Sequence, residues 1–483
     1  MRQAFLMFGY DAGVLSGVQD TKPYLDAIGN PQRHSTTIIP MIASSYTLGT
    51  WAMSMVITFI ALPMGRRNCI LLGNVLVIIG GAIQASSFSV AQIIVGRLLC
   101  GFGVGFITST VPTYIAEMSI KSTERGPAVA FQLAVTLTGV ALSSWLDFGF
   151  TRMTNQVSWR FPIAFQTFLA SLSLVGMLLL PDTPRWYYVQ DRMEEGDRIL
   201  SALHDLPIDD EHVQYQKREI LEVIALEKSQ KPFNLVTLIW DNTELQAGRR
   251  LRTSFLILAL QQLMGVNMLV YYSTVIFSQV GLSPLLSSLL AAVMNTIFAT
   301  GSWLLPGTIE RVGRRTIMLW CAIIDTIFMV IFVIMVNLPH KTLATQWTAV
   351  ACVIVFIFFF GYGWMGISWL YGPEIAPLRY RHLGGAFGTM GFSSFTFVTV
   401  FAGGIAITRV GPMIWIWQAI SCALAVVFVW YNCPETSGKT LEEIDHIFMK
   451  NGGSGEANLD LGWDQEPVKE ESAEQVEKLD DEA

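Results

Sequence analysis

The sequence predicts an all-α integral membrane protein of about twelve transmembrane helices, built as two six-helix pseudo-repeats. Three observations lead there. Charged residues make up only 14% of the 483, where an average soluble protein has roughly 25%. Apolar residues reach 52% before the 40 glycines are added, and mean hydropathy is +0.46. So little charge cannot coat a globule of this size, and hydrocarbon must face much of it. Third, three local motifs recur along the chain at a near-constant offset.

The same composition closes off other classes. Aromatic residues at 12% exclude a mainly disordered chain. Six cysteines stand singly in apolar stretches with no CxxC, which argues against a disulfide scaffold, a zinc site and a redox pair. No cofactor is expected. The net charge of −7 misleads, because eleven acids and two lysines from Asn451 onward carry −9 and leave +2 over residues 1–450. No basic patch suggests nucleic acid.

A helix needs roughly 20 apolar residues to cross roughly 30 Å of hydrocarbon. Such runs lie near 4–20, 36–62, 69–88, 91–117, 126–147, 160–180, 251–279, 284–306, 314–337, 347–373, 383–408 and 411–432. The first is short and starts almost at Met1, so its outer turns are expected to be missing; with Asp11 inside it and no small-residue cleavage site after it, it is not a cleavable signal. Basic residues set the orientation. Arg66-Arg67, Lys121 with Arg125, Arg311 with Arg314-Arg315, and Arg379 with Arg381 share one side with the long connection from Asp182 to Arg250. The positive-inside rule makes that side, and both termini, cytoplasmic. The expected units are a first bundle over 1–180, a cytoplasmic linker with short amphipathic helices over 181–250, a second bundle over 251–433, and an acidic tail over 434–483. The tail is expected to be largely disordered after residue 450.

The repeats fix the architecture. Gly65-Arg66-Arg67 recurs 248 positions on as Gly313-Arg314-Arg315. Glu117, followed by Arg125-Gly126, recurs 257 positions on as Glu374, followed by Arg381 and Gly384. Pro181-Asp182-Thr183-Pro184 recurs 253 positions on as Pro434-Glu435-Thr436. Two duplicated bundles with a site between them are the plan of a secondary transporter. Arg66, Arg67, Glu117, Arg125, Glu310, Arg314, Arg315, Glu374 and Arg381 all fall at cytoplasmic helix ends, and are read as a salt-bridge gate that holds the two halves together and breaks when they part. Each exposed pair is worth only about 0–1 kcal/mol, enough in a network to bias a nearly balanced equilibrium. The first copy has Leu62-Pro63 where the second has Glu310, so its gate is expected to be weaker and the inward-open state more populated.

Polar side chains inside the apolar runs mark the interior. Gln261, Gln262 and Asn267 follow apolar Phe255–Leu260. On the 3.6-residue period, 261 and 262 are about 100° apart and 267 lies about 120° from 262, so the amides are expected over a broad arc. Carboxamides donate and accept at once, which suits a polyhydroxylated substrate. Asp11 and Arg97 each place a charge within an apolar run, which costs roughly 2.5–3.5 kcal/mol on insertion scales and points to a paired, functional role.

Taken in order, Phe8-Gly9-Tyr10-Asp11…Ser16-Gly17, Gly96-Arg97…Glu117, Trp159-Arg160, Pro181-Asp182-Thr183-Pro184-Arg185, Gln261-Gln262…Gly265…Asn267…Tyr271-Tyr272, Glu310-Arg311-Val312-Gly313-Arg314-Arg315 and Pro434-Glu435-Thr436-Ser437-Gly438 resemble the sugar porter family of the major facilitator superfamily, in its fungal branch, up to about Met449. The resemblance implies the major facilitator fold and a central sugar site lined by Gln261, Gln262 and Asn267, with Asn295, Trp369, Phe8 and Tyr272 added. Gln132 stands one residue before the family's usual glutamine, and Leu133 holds that place; a residue's shift is about 100° of rotation, so Gln132 either reaches the site or faces a neighbour. In the eleventh helix Phe392 and Ser393 stand where many members have a polar residue and a tryptophan, and Thr396 where they have an asparagine; Trp364-Met365-Gly366 replaces Trp-Gly-Pro. The resemblance also implies that Asp11 and Arg97 lie together and that the acid couples transport to a proton. The expected function is proton-coupled symport of a monosaccharide, hexose or pentose-like, by alternating access. A facilitative sugar uniporter and a transporter-like sugar sensor are the alternatives. The expected setting is a monomer in the lipid bilayer of the plasma membrane, with sugar and proton as its small partners and no enzymatic activity.

Overall fold

The computed structural model describes residues 2–30, 36–118, 125–229, 246–376, 381–438, 444 and 447–448. The acidic tail beyond them, and the side chains of Leu62, Arg125 and Arg381, lie outside the described residues. Among those described, all regular structure is helical.

Among the described residues, ten helices are long and apolar enough to cross a membrane. Two more complete the set. The first span is Arg2–Gly13, only 12 residues and continued by Leu15–Val18, while the second, Ile38–Met64, has 27. The third to sixth spans are Arg66–Ala85, Val90–Met118, Arg125–Phe150 and Val157–Leu178. At 1.5 Å per residue the first helix covers about 18 Å, short of the roughly 30 Å of hydrocarbon that the others match.

Among the described residues three helices follow, Pro184–Val189, Met193–His204 and Glu211–Ser229. The first begins at an N-cap: the Thr183 hydroxyl accepts from Trp186 N at 3.4 Å, with Pro184 just inside.

The seventh span is broken. Ala247–Leu263, Val266–Tyr271 and Ser273–Val280 follow one another across Gly265, whose φ of +84° ends the first piece. The eighth and ninth spans are Pro284–Val312 and Arg314–Asn337. The tenth starts at a capping box, Thr342 with Thr345, and runs Leu343–Phe359 before loosening into a π-helical turn over Phe360–Met365 and resuming as Gly366–Ile375. The eleventh is Arg381–Arg409 and the twelfth Trp415–Asn432.

The buried apolar side chains form two main clusters. One draws on residues 4–177. The other draws on residues 257–448 but also takes in Ala43, Ala130, Leu137, Val140 and Ala141 from the second and fifth spans, because there the two bundles meet. The fifth span packs along the eighth and the second along the eleventh. Side-chain hydrogen bonds sew these seams: Trp145 Nε1 donates to Thr296 Oγ1 at 2.9 Å, Trp303 Nε1 to Thr138 Oγ1 at 3.0 Å, and Trp51 Nε1 to Ser394 Oγ at 3.0 Å.

Close helix contact rests on missing side chains. A Cβ on Gly9 would stand 1.7 Å from Thr136 O, so the first and fifth spans touch backbone to backbone. With no hydrophobic drive between helices in lipid, such small-residue contacts carry much of the packing.

Candidate functional site

The break at Gly265 builds the polar centre. A straight helix would spread Gln261, Gln262 and Asn267 over a broad arc; the break re-aims Asn267, and the three amides instead join in series. Gln261 Nε2 donates to Trp364 O at 3.0 Å, in the π-helical turn of the tenth span. Gln262 Nε2 donates to Gln261 Oε1 at 2.9 Å, and Asn267 Nδ2 donates in turn to Gln262 Oε1 and, at 3.4 Å, to Thr396 Oγ1. One chain of amides therefore runs from the tenth span across the seventh to the eleventh. Gln261 and Gln262 are fully buried.

Four further residues expected in the site have a buried polar atom with unused valence. Trp369 Nε1, Ser393 Oγ, Asn295 Oδ1 and Gln132 Nε2 are buried and have no hydrogen-bond partner, on the tenth, eleventh, eighth and fifth spans. Buried polar atoms in folded proteins are nearly always satisfied, so unpaired donors and acceptors on several helices are of the kind a hydroxyl-bearing ligand would satisfy. Asn295 is held from the other bundle, donating Nδ2 to Ser144 Oγ at 2.7 Å. Phe392 lies against Trp369, ring centroids 4.9 Å apart, so the departure in the eleventh span places an apolar ring on the tryptophan. Tyr272 donates its hydroxyl to Val400 O at 3.0 Å, and Phe8 packs edge-on to Phe5.

A second centre lies in the first bundle. Arg97 Nη1 meets Asp11 Oδ1 at 3.3 Å, with both side chains fully buried. The contact is single. Asp11 Oδ2 has no partner, and the guanidinium shares itself between Ala43 O, 3.4 Å from Nη2, and the face of Tyr46, 4.8 Å from Cζ. A bidentate Arg–carboxylate pair would be stronger and more rigid.

The basic end carries one construction twice. Arg66 pairs with Glu117 at 2.9 Å, and Glu117 accepts the Thr183 hydroxyl at 2.6 Å. In the second bundle Arg314 pairs with Glu374 at 3.3 Å, and Glu374 accepts the Thr436 hydroxyl at 3.0 Å. Arg67 donates to Leu178 O and Leu180 O at the end of the sixth span, as Arg315 donates to Trp430 O at the end of the twelfth. One difference stands out: Arg314 also holds Glu310 with contacts of 2.6 and 2.7 Å, and position 62 offers a leucine for that role. Among the described residues these ion pairs do not join the two halves; the side chains of Arg125 and Arg381, expected in the same network, lie outside them. Each of these ion pairs lies inside one bundle, because Arg and Glu sit at adjacent ends of neighbouring spans of the same repeat.

Comparison with known proteins gives the class. The family model described as sugar (and other) transporter matches residues 3–448. This chain belongs to that transporter family. The sugar transporter STL1 of Saccharomyces cerevisiae is 32% identical over 461 residues, covering 92% of this chain and 79% of the relative. The MFS-type transporter OryC of Aspergillus oryzae is 31% identical over 455 residues, covering 92% and 83%. Among solved structures, the proton:xylose symporter XylE aligns with a TM-score of 0.76 over 92% of this chain and 97% of its own, at 21% identity, which is a likeness of fold. The protein is a multi-pass membrane transporter of the sugar transporter family, with the twelve-helix major facilitator fold, and not an enzyme.

Sequence reasoning missed several polar groups in this transporter. Tyr114 and Tyr371 donate their hydroxyls to Pro181 O and Pro434 O, both at 2.8 Å, and so complete the duplicated construction. Their signal was available: Tyr114 and Tyr371 are 257 positions apart, the same offset as Glu117 and Glu374. Asp147 and Asp325 are buried carboxylates in the fifth and ninth spans, found by the criterion that singled out Asp11.

Proposed function

We propose that this transporter carries a monosaccharide, hexose or pentose-like, together with a proton, by alternating access, with the basic end cytoplasmic in the plasma membrane. The observation that carries the coupling is the single 3.3 Å contact between Asp11 and Arg97, buried and incompletely satisfied. Ionised Asp11 attracts the guanidinium and ties the first span to the fourth. A proton on Asp11 removes that attraction, and Arg97 keeps Ala43 O and the Tyr46 face as its alternative partners. The two spans are then free to shift. Proton occupancy thus selects between two packings.

The sugar reading draws on the amide series and the unpaired atoms near it. Gln261, Gln262 and Asn267 now satisfy one another and Trp364 O; a substrate hydroxyl takes the place of one such bond when it enters. Bonds across the seam away from the basic end hold the halves together there, Gln19 Nε2 to Tyr271 O and Thr274 Oγ1 to Ser16 O, both at 2.9 Å. Under the proposed orientation this is the external closure.

The energy suffices. One pH unit supplies about 1.36 kcal/mol per proton, and 100 mV about 2.3 kcal/mol per charge. Uptake of labelled monosaccharides into liposomes, with and without an imposed pH gradient, tests the proposal. Accumulation above equilibrium driven by an acidic exterior is expected; equilibration with no response to the gradient would leave a uniporter, and binding without flux a sensor.

A further inference from the structure

Asp147 is the polar group at the seam that this scheme does not use. Its side chain is 2% exposed. Oδ2 accepts a single hydrogen bond, from Gly17 N at 3.2 Å, and Oδ1 has no partner. The approach depends on glycine, since a Cβ at position 17 would stand 2.6 Å from Asp147 Cβ. The carboxyl lines a small void with Ser16, Gly17, Ser144, Thr274 and Ser288. These residues come from both bundles, and the Thr274–Ser16 bond closes the seam beside them.

No cation compensates this carboxyl among the described residues. The charged and titratable groups on the elements packed round it form no ion pair with it. On the sixth span Arg160 donates to Ala85 O and Ser87 O. On the first span Asp11 faces Arg97, Tyr10 donates to Pro162 O, and Asp20 is a further acid. On the fifth, Arg152 lies over the Phe148 ring at 4.1 Å. On the seventh, Tyr272 donates to Val400 O and Tyr271 accepts from Gln19 through its main chain. The eighth faces the void with Ser288 and Ala291. An isolated ionised carboxylate in such a place is far more costly than a neutral one.

We propose that Asp147 is a second proton-binding site, an external latch that must take a proton from outside before the two bundles can close over it. When the seam parts, water reaches the carboxyl, it ionises and its proton leaves to the external solution. Closure requires the reverse. Because Asp147 stays sealed while the basic end opens, its proton is not delivered inside; the latch sets how readily the external face shuts and leaves the coupling ratio to Asp11. The inference rests on the alternating-access reading above and is independent of which sugar is carried.

A substrate-free measurement keeps the two apart. In a background without the six native cysteines, Ser16→Cys places a thiol beside the void, and a charged, membrane-impermeant thiol reagent reports opening from outside. Labelling rates between pH 5 and 8 are divided by those of Thr154→Cys, an exposed position, to remove the reagent's own pH response. The normalised rate should rise with pH; with the Asp11 contribution removed by Asp11→Asn a rise should remain, and adding Asp147→Asn to that background should abolish it. A rise that survives in the Asp11→Asn/Asp147→Asn double variant, or none left in Asp11→Asn alone, overturns the latch. Asp147→Ser, also neutral, gives the same decision if the asparagine variant does not reach the membrane. A failure here with sugar uptake intact leaves the transport proposal standing.

Discussion

Asp182 and Glu435, 253 positions apart, do the same work at the two ends of a duplication. Asp182 accepts Arg66 N at 3.2 Å and Arg67 N at 3.1 Å; Glu435 accepts Arg314 N at 2.8 Å, Arg315 N at 3.0 Å and Thr316 N at 3.3 Å. Each carboxylate caps the N-terminus of the third or ninth span, where free N–H groups and the helix dipole favour a negative charge. The glycines before those helices, Gly65 at φ +88° and Gly313 at φ +94°, leave room for the caps: a Cβ would lie 2.4 Å from Asp182 Oδ2 or 2.6 Å from Glu435 Oε2.

Removing either cap costs stability by a predictable amount. Asp182→Ala and Glu435→Ala are each expected to cost about 0.5–2 kcal/mol, the usual range for a lost helix cap. The caps sit in different bundles and share no partner, so the double variant should show nearly the sum. Melting temperatures of the detergent-purified proteins check this, and a double variant no worse than one single would show that the caps act on a common element.

The buried pair makes an asymmetric prediction. Arg97→Ala leaves Asp11 buried without its cation, a loss of about 3–5 kcal/mol, whereas removing both charges together is far milder. Arg97→Gln combined with Asp11→Asn should therefore fold better than Arg97→Ala alone. Asp11→Asn by itself should abolish accumulation driven by a pH gradient and spare sugar exchange at equal pH. Uphill uptake that persists in this variant removes Asp11 from the coupling scheme.

What could be read from the sequence was whatever repeats or stands out chemically. All twelve spans follow from runs of apolar residues, and Asp11 and Arg97 follow from charge where charge is costly. The duplicated Gly-Arg-Arg and Pro-acid-Thr motifs announced the basic-end construction. Two features were not legible because they depend on where the backbone bends. Gly265 stands in a recognisable motif, but the motif does not tell that its positive φ turns separate amides into one series. The π-helical turn over Phe360–Met365 supplies Trp364 O to Gln261, and no local pattern marks it. The partners of the gate residues were hidden for a related reason, since sequence gives the end of a helix but not which neighbour stands beside it.

Position 62 offers a gain of interaction rather than a loss. Glu310 grips Arg314 through two contacts, and its counterpart 248 positions earlier is Leu62. Leu62→Asp gives Arg66 a second carboxylate beside Glu117, within one bundle. One added ion pair at a helix end is worth about 0–1 kcal/mol, so the expected shift in accessibility of a cysteine reporter at the basic end is up to about fivefold towards closure. No change in labelling would mean that the pairing inside a bundle does not influence the equilibrium between bundles.

Gln262 sits in the middle of the amide series, donating to Gln261 and accepting from Asn267. Gln262→Ala removes both bonds at once and leaves Gln261 Oε1 and one Asn267 donor unpaired in a buried place. Unsatisfied buried groups cost roughly 1–3 kcal/mol, and here the loss is shared between the empty and the occupied site. Where the sugar bonds Gln262 directly, the cost falls on binding, and the apparent affinity in counterflow should drop about 5- to 150-fold. Where Gln262 only braces its neighbours, the loss appears as a lower melting temperature with affinity nearly unchanged. Measuring both on the same preparation separates a substrate-binding glutamine from a supporting one, and Gln262→Glu, which keeps the acceptor and loses the donor, tells which of its two bonds matters.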